Sequence, residues 1–230
     1  VVEAPSRRSS KKRRRNFRYR AKPKELDFPT DAGVPETRRH YELRTTLFQI
    51  AKLALAEQAS IGSAQLVFWN AADPTRSVAP DLFIRLEAPD SLFDSWKTWE
   101  RGAPEVAVEI LSDSDATELA WDGQLHRYHE LGVEELIRFD PIAPADCLRV
   151  WDRVNDDLVE RELEDPMMAE SSVLGLHWVV IKDPTLGRML RLAKDDSGGR
   201  LLPTPVEREA KKRKEAEQRV RELEEKLRDK

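Results

Sequence analysis

Two carboxylates in apolar company carry the chemistry this chain could do. Asp81 stands in Ala79-Pro80-Asp81-Leu82-Phe83-Ile84, and Glu109 in Val106-Ala107-Val108-Glu109-Ile110-Leu111-Ser112. Both runs have the β-branched and aromatic make-up of buried strands. An ionised acid in such a strand is costly unless a cation or hydrogen-bond donors meet it. Converging acids are a usual way to hold Mg²⁺ (or Mn²⁺), which takes oxygen ligands and acts on phosphates. The expectation is a metal-dependent site that hydrolyses phosphodiester bonds. Taken singly, Asp81 also suits a turn or strand-start acid after Pro80, and Glu109 a salt-bridged structural acid. The weight therefore rests on the pair.

Elements must bring the two acids together. From Glu36 to about Ser60, Leu43, Leu47, Ile50, Leu53, Ala54 and Leu55 recur at helical spacing, which predicts an amphipathic helix. Strands are expected at 65–69, 81–86, 105–111, 135–140 and 147–152, with 157–163 as a further candidate. Residues 86–104, rich in Pro, Asp and Trp, read as a loop. A second helix is expected over roughly 116–131, with Gly132 placed to cap its C-terminus. Strand 105–111, helix 116–131 and strand 135–140 form an expected βαβ unit, and the fold class is mixed α/β.

Charge divides the chain. Residues 1–24 hold eleven Lys/Arg against Glu3, a net of +10, and residues 207–230 carry +2. The whole chain carries −4, so residues 25–206 carry −16. The organisation expected is a disordered basic arm (1–24), a folded acidic domain (25–206) and a charged helical tail (207–230). The arm could neutralise phosphates, with Phe17 and Tyr19 stacking on bases, or be a solvated tail. In the tail, Ala216, Val220, Leu223 and Leu227 follow a 4-3-4 spacing, a short coiled-coil seam that could serve a homo-oligomer or simply be solvated. No run of about 18 apolar residues predicts a membrane span, and no apolar segment near the start predicts secretion, so a cytoplasmic protein is expected. Cys147 is the only cysteine, which excludes an internal disulfide and a Cys-based zinc site.

A strand Asp, a strand Glu and a following helix resemble the PD-(D/E)xK nuclease superfamily. More narrowly, residues 79–141 resemble the bacterial Uma-type restriction endonuclease family. The matching residues are Ala79-Pro80-Asp81, Pro104-Glu105 through Ser112, Tyr128, Gly132-Val133-Glu134-Glu135 and Phe139-Asp140-Pro141. The charged tail after Leu202-Pro203-Thr204-Pro205 is similar to that family as well. The resemblance implies a restriction-endonuclease-like mixed sheet flanked by helices. It also implies Asp81, Glu109 and the backbone carbonyl of Ile110 as metal ligands, with DNA as substrate. The superfamily's lysine, two residues after the Glu, is here Leu111. In this family it commonly moves to the helix, four residues before the Tyr, and that position is Gln124. Glutamine can orient a water but carries no charge to offset charge developing in the transition state.

Other residues are weaker candidates. Glu42 on the first helix could be a third acid, although a solvated helix Glu suits it better. Arg127 points to a different helical face from Gln124; His126 could act as an acid or base, and Lys52 or Lys97 could reach in from elsewhere. His40, His126, His129 and His177 lack metal-ligand spacing, and surface or capping roles are expected for them. Trp96 and Trp99 are expected as core or loop anchors, with a lid over a groove as the sharper option. Two functions stay open: a Mg²⁺-dependent DNA endonuclease, or a catalytically degenerate module of the same fold that binds nucleic acid or protein. The net −16 of residues 25–206 argues against broad passive DNA binding.

Overall fold

A computed structural model describes residues 36–112, 118–143 and 145–228. The basic arm at 1–24 and the first residues expected in the second helix lie outside the described residues. Helix α1 (Arg38–Leu55) is followed by strands β1 (Ala59–Gly62), β2 (Val67–Phe68), β3 (Ser77–Val78), β4 (Leu82–Leu86) and β5 (Trp96–Lys97). The short α2 (Thr98–Arg101), β6 (Val106–Ile110), α3 (Glu118–Leu131), β7 (Glu135–Phe139), β8 (Leu148–Val154) and β9 (Asp157–Glu160) come next. The chain ends in β10 (Met168–Glu170), β11 (His177–Asp183), β12 (Gly187–Ala193) and α4 (Pro205–Arg228).

Six strands form one mixed sheet in the order β1-β4-β6-β7-β8-β9. The β6 and β7 pair is parallel and joined through α3, as the βαβ expectation requires; the other neighbours are antiparallel. On one face, Leu43, Leu47 and Ile50 of α1 pack with Ile84, Val108 and Ile137, and Trp178 and Leu192 of the β10-β11-β12 sheet join the same core. On the other face, Tyr128 and Leu131 of α3 pack with Phe83, Ala107, Leu136 and Trp151. Full burial of such side chains contributes about 1.5–3 kcal/mol each, so both faces of the central strands are pinned. Among the described residues no helix is long and apolar enough to cross a membrane.

Several expectations change. The first helix stops at Leu55, and Ala59–Gly62, expected within or just beyond it, pair with β4 as an edge strand. Gly62 lies opposite Phe83 in that pair, and a Cβ there would come within 2.1 Å of the Phe83 ring, so only glycine fits. The strand expected at 65–69 is the two-residue β2, which belongs to a separate small sheet ordered β3-β2-β5. Residues 86–104 contain β5 and α2 as well as loop. Trp96 is fully buried there and donates its Nε1–H to the Gly102 carbonyl at 2.8 Å, so it is a core anchor and not a lid.

Glu135, fully buried at the start of β7, ties two of the sheets together. It accepts from Trp178 Nε1 at 2.8 Å, Ser172 N at 2.7 Å and Ser172 Oγ at 2.9 Å. Gly132 ends α3 with a φ of 88°, a left-handed conformation that glycine adopts without strain.

Candidate active site

Asp81 precedes β4, and β4 pairs with β6 so that Leu82 faces Val108 and Phe83 faces Ala107. Asp81 directly precedes Leu82, and Glu109 directly follows Val108, so the two acids stand at the same end of this strand pair. Asp81 is 7% exposed. Its Oδ2 accepts the Ile110 N–H at 2.7 Å and lies 3.1 Å from His40 Nε2. The same His40 nitrogen lies 2.8 Å from the Ile110 carbonyl oxygen, and His40 Nδ1 lies 3.0 Å from Glu36 Oε1. Burial alone would pull the imidazole toward its neutral form. The Asp81 hydrogen bond and charge outweigh burial, with help from Glu36 and the Ile110 carbonyl, and its pKa is raised to about 9. At neutral pH both ring nitrogens therefore donate: Nε2–H is shared by Asp81 and the Ile110 carbonyl, and Nδ1–H goes to Glu36.

The start of α1 is built to deliver this group. Thr37 caps the helix, its Oγ1 accepting the His40 N–H at 3.2 Å. That places His40 in the first turn and Arg44 four residues on, on the same side of the helix. Arg44 grips Glu36 through Nε at 2.7 Å and Nη2 at 2.9 Å, and reaches Ser63 Oγ through Nη1 at 2.9 Å. Ser63 in turn donates to the Asp81 backbone carbonyl at 2.7 Å. The Arg44 hydrogen bond lowers the Glu36 pKa against the opposing effect of burial, and His40 adds to the lowering. Arg44 Nε stands 3.9 Å from Asp81 Oδ1, a second positive charge beside that acid.

Glu109 is held from the opposite side by α3. Gln124 Nε2 donates to Glu109 Oε1 at 3.0 Å, and the Tyr128 hydroxyl makes a very short hydrogen bond to the same oxygen. The two donors are four residues apart and share one helix face. Tyr128 is completely buried; burial first, then the Glu109 charge, raises its phenol pKa well above the ordinary value, so it stays a donor. Arg138 is the neighbour of Glu109 across the parallel β6–β7 pair, and its guanidinium lies 4.8 Å over the Trp121 ring of α3.

Other sequence candidates lie elsewhere. Glu42 is a solvated helix acid, 3.8 Å from Arg38. Lys52 pairs with Asp90, and Lys97 lies 3.4 Å from Glu100. His126 and Arg127 are exposed on α3; His126 lies 3.6 Å from Glu130, and His129 lies 3.2 Å from Asp157. His40 corrects the surface expectation: its side chain is only 14% exposed and touches Asp81. The signal was present, since His40 continues the Leu43, Leu47, Ile50 stripe at a 3-4-3 spacing and so falls on the buried face of α1. Among the described residues no group of three or more His, Cys, Asp or Glu is arranged to hold a metal. The oxygens that share a positive donor are those of Asp81 and the Ile110 carbonyl. A cleft of about 210 Å³ opens beside them, lined by Thr37, Arg39, His40, Leu111, Ser112 and Pro141 among others.

Among solved structures, one similar chain is described as a crystal structure of a putative nuclease belonging to DUF820 from Anabaena variabilis ATCC 29413. Its TM-score is 0.42 at 11% identity, covering 66% of this chain and 75% of that one. No curated protein matches the chain. The family model described as "Uma2: Putative restriction endonuclease" matches residues 32–181. That span is more than half of the 230 residues, and the chain belongs to this family.

Proposed function

We propose that this protein is a metal-dependent endonuclease that hydrolyses phosphodiester bonds of DNA. Asp81, Glu109 and the backbone carbonyl of Ile110 would hold Mg²⁺ or Mn²⁺, and Gln124 stands in the place of the usual lysine. The observation that carries the reading is the convergence of Asp81 Oδ2 and the Ile110 carbonyl oxygen on one positively charged donor, His40 Nε2. Carboxylate and carbonyl oxygens are the ligand types that a hard divalent ion takes. When bound, such an ion supplies a Lewis acid that acidifies a water and offsets charge on the phosphate oxygens.

The chain's own residues supply position and charge. Tyr128 and Gln124 fix the Glu109 carboxylate from α3, so that it keeps one orientation. The Gln124 amide oxygen is an acceptor able to orient a water, but it brings no positive charge. Arg138, on the strand beside Glu109, and His40 and Arg44, against Asp81, are the positive charges beside the two acids. The family membership supports a nucleic-acid substrate. The net −16 over residues 25–206 favours local engagement over a broad electrostatic footprint.

Incubation of supercoiled plasmid with Mg²⁺ or Mn²⁺ tests the proposal. Nicking or linearisation that is abolished by EDTA, and reduced at least a hundredfold by Glu109→Gln, is expected. Cleavage indifferent to EDTA or to Glu109→Gln contradicts it. A second reading, a degenerate module that binds nucleic acid or protein, draws on the neutral Gln124. Metal-dependent cleavage that depends on Glu109 would remove it.

A further inference from the structure

Helix α4 leaves the domain with a rigid base and a bare shaft. Thr204, Pro205, Val206 and Glu207 form a capping box: Thr204 Oγ1 accepts the Glu207 N–H at 3.1 Å, and Glu207 Oε2 accepts the Thr204 N–H at 2.7 Å. Arg191, almost completely buried on β12, locks this turn by donating to the Leu202 carbonyl at 2.7 Å and to Glu207 Oε2 at 2.8 Å. Beyond it, no described residue of α4 is buried. Val220, Leu223 and Leu227 are 53%, 48% and 73% exposed. Helices in proteins draw most of their stability from packing an apolar face, so an exposed apolar stripe along α4 calls for a partner.

The charges identify the partner. With Ala216 and Leu223 at d and Val220 and Leu227 at a, the flanking g positions are Lys212, Arg219 and Lys226, and the e positions include Glu217 and Glu224. In a parallel pair of helices, a g residue meets the e residue of the next heptad on the other helix. Lys212 would face Glu217 of the second copy, and Arg219 would face Glu224, each pairing occurring twice by symmetry. In an antiparallel pair g meets g and e meets e, which sets bases against bases and acids against acids. The self-complementarity is therefore specific to a second copy in parallel orientation. The pairings within the helix, such as Arg213–Glu217 at 3.8 Å and Arg219–Glu222 at 3.8 Å, are solvent-exposed and exchangeable.

We infer that α4 is a homodimerisation helix, forming a short parallel coiled coil with a second copy of this chain through Ala216, Val220, Leu223 and Leu227. With a seam of four apolar residues the dimer is weak and concentration-dependent. This inference does not depend on the nuclease reading.

The test is sedimentation equilibrium of the full chain over roughly a hundredfold range of concentration, where self-association follows mass action. The mass is expected to rise from one chain toward two. The double substitution Glu217→Lys/Glu224→Lys, which turns four attractive pairs repulsive, is expected to raise the dissociation constant roughly tenfold or more. Glu215→Lys/Glu222→Lys makes the same charge change on the outer face, and is expected to leave the dimer unchanged. Leu227→Cys is expected to cross-link to itself under mild oxidation, with little background from Cys147, which is only 2% exposed. In an antiparallel pair centred on the same seam, the two copies of residue 227 would lie about 16 Å apart. A single-chain mass at every concentration overturns the inference. So does a dimer equally sensitive to both double substitutions, or a Leu227→Cys chain that fails to cross-link.

Discussion

Replacing His40 with glutamine removes a positive charge hydrogen-bonded to the buried Asp81 carboxylate while keeping a side chain that can donate a hydrogen bond. The imidazole pKa rises from 6.5 to about 9 in the folded chain, and the side chain is only 14% exposed, so solvent screens it little. At about 1.36 kcal/mol per pH unit, that rise corresponds to a stabilisation on the order of 3 kcal/mol. The sign follows from linkage. Below pH 6.5 the ring is protonated both folded and unfolded, and the full contribution is present. Between pH 6.5 and about 9 the unfolded chain sheds the proton first, and the contribution declines; above about 9 it is gone. Urea unfolding in EDTA at pH 6 and near pH 9.5, on wild type and His40→Gln, isolates the effect because other titrations cancel between the two proteins. The wild type is expected to lose more stability than the variant by on the order of 3 kcal/mol over that interval. Equal losses in the two proteins would refute the charged His40–Asp81 contact.

Three further substitutions probe the groups around it. Tyr128→Phe deletes a buried hydroxyl bonded to Glu109 and should cost about 2 kcal/mol in denaturant unfolding; a change within error would remove that bond from the account. Gln124→Lys restores a charge beside Glu109 and should raise metal-dependent plasmid cleavage, whereas Gln124→Ala should lower it about tenfold, the loss of one charge-assisted hydrogen bond. Glu135→Ala leaves the Trp178 and Ser172 donors unmet between the sheets and should destabilise the chain by about 3–5 kcal/mol. Calorimetric melting that shifts only slightly would show that Glu135 does not join the sheets energetically.

The central strands could be read from sequence because β-branched and aromatic runs mark strands buried on both faces, as in Val106–Ile110 and Glu135–Phe139. Glu109 lies on one such strand and Asp81 directly precedes another, while Gln124 and Tyr128 are marked only by the family resemblance. What escaped were features set by tertiary contacts. Ala59–Gly62 has no strand pattern of its own and is held by pairing with β4. Nothing local marks the strands at 177–183 and 187–193, because Lys182, Arg188 and Arg191 break their apolar runs; Arg191 is nonetheless buried, its guanidinium donating to Leu202 and Glu207. His40 and Arg44 were missed at the site because nothing local to α1 says that its first turn abuts Asp81. That proximity belongs to the packing of α1 across β1, β4 and β6.

The most direct test of the nuclease account compares wild type with Asp81→Ala in plasmid cleavage with Mg²⁺ or Mn²⁺, after both are shown by circular dichroism to be folded. Asp81 is the acid that shares the His40 donor with the Ile110 carbonyl, so its loss removes the convergence on which the proposed site depends. The account predicts cleavage by the wild type and none above background by Asp81→Ala. Cleavage by both proteins at similar rates, or by neither, would contradict it.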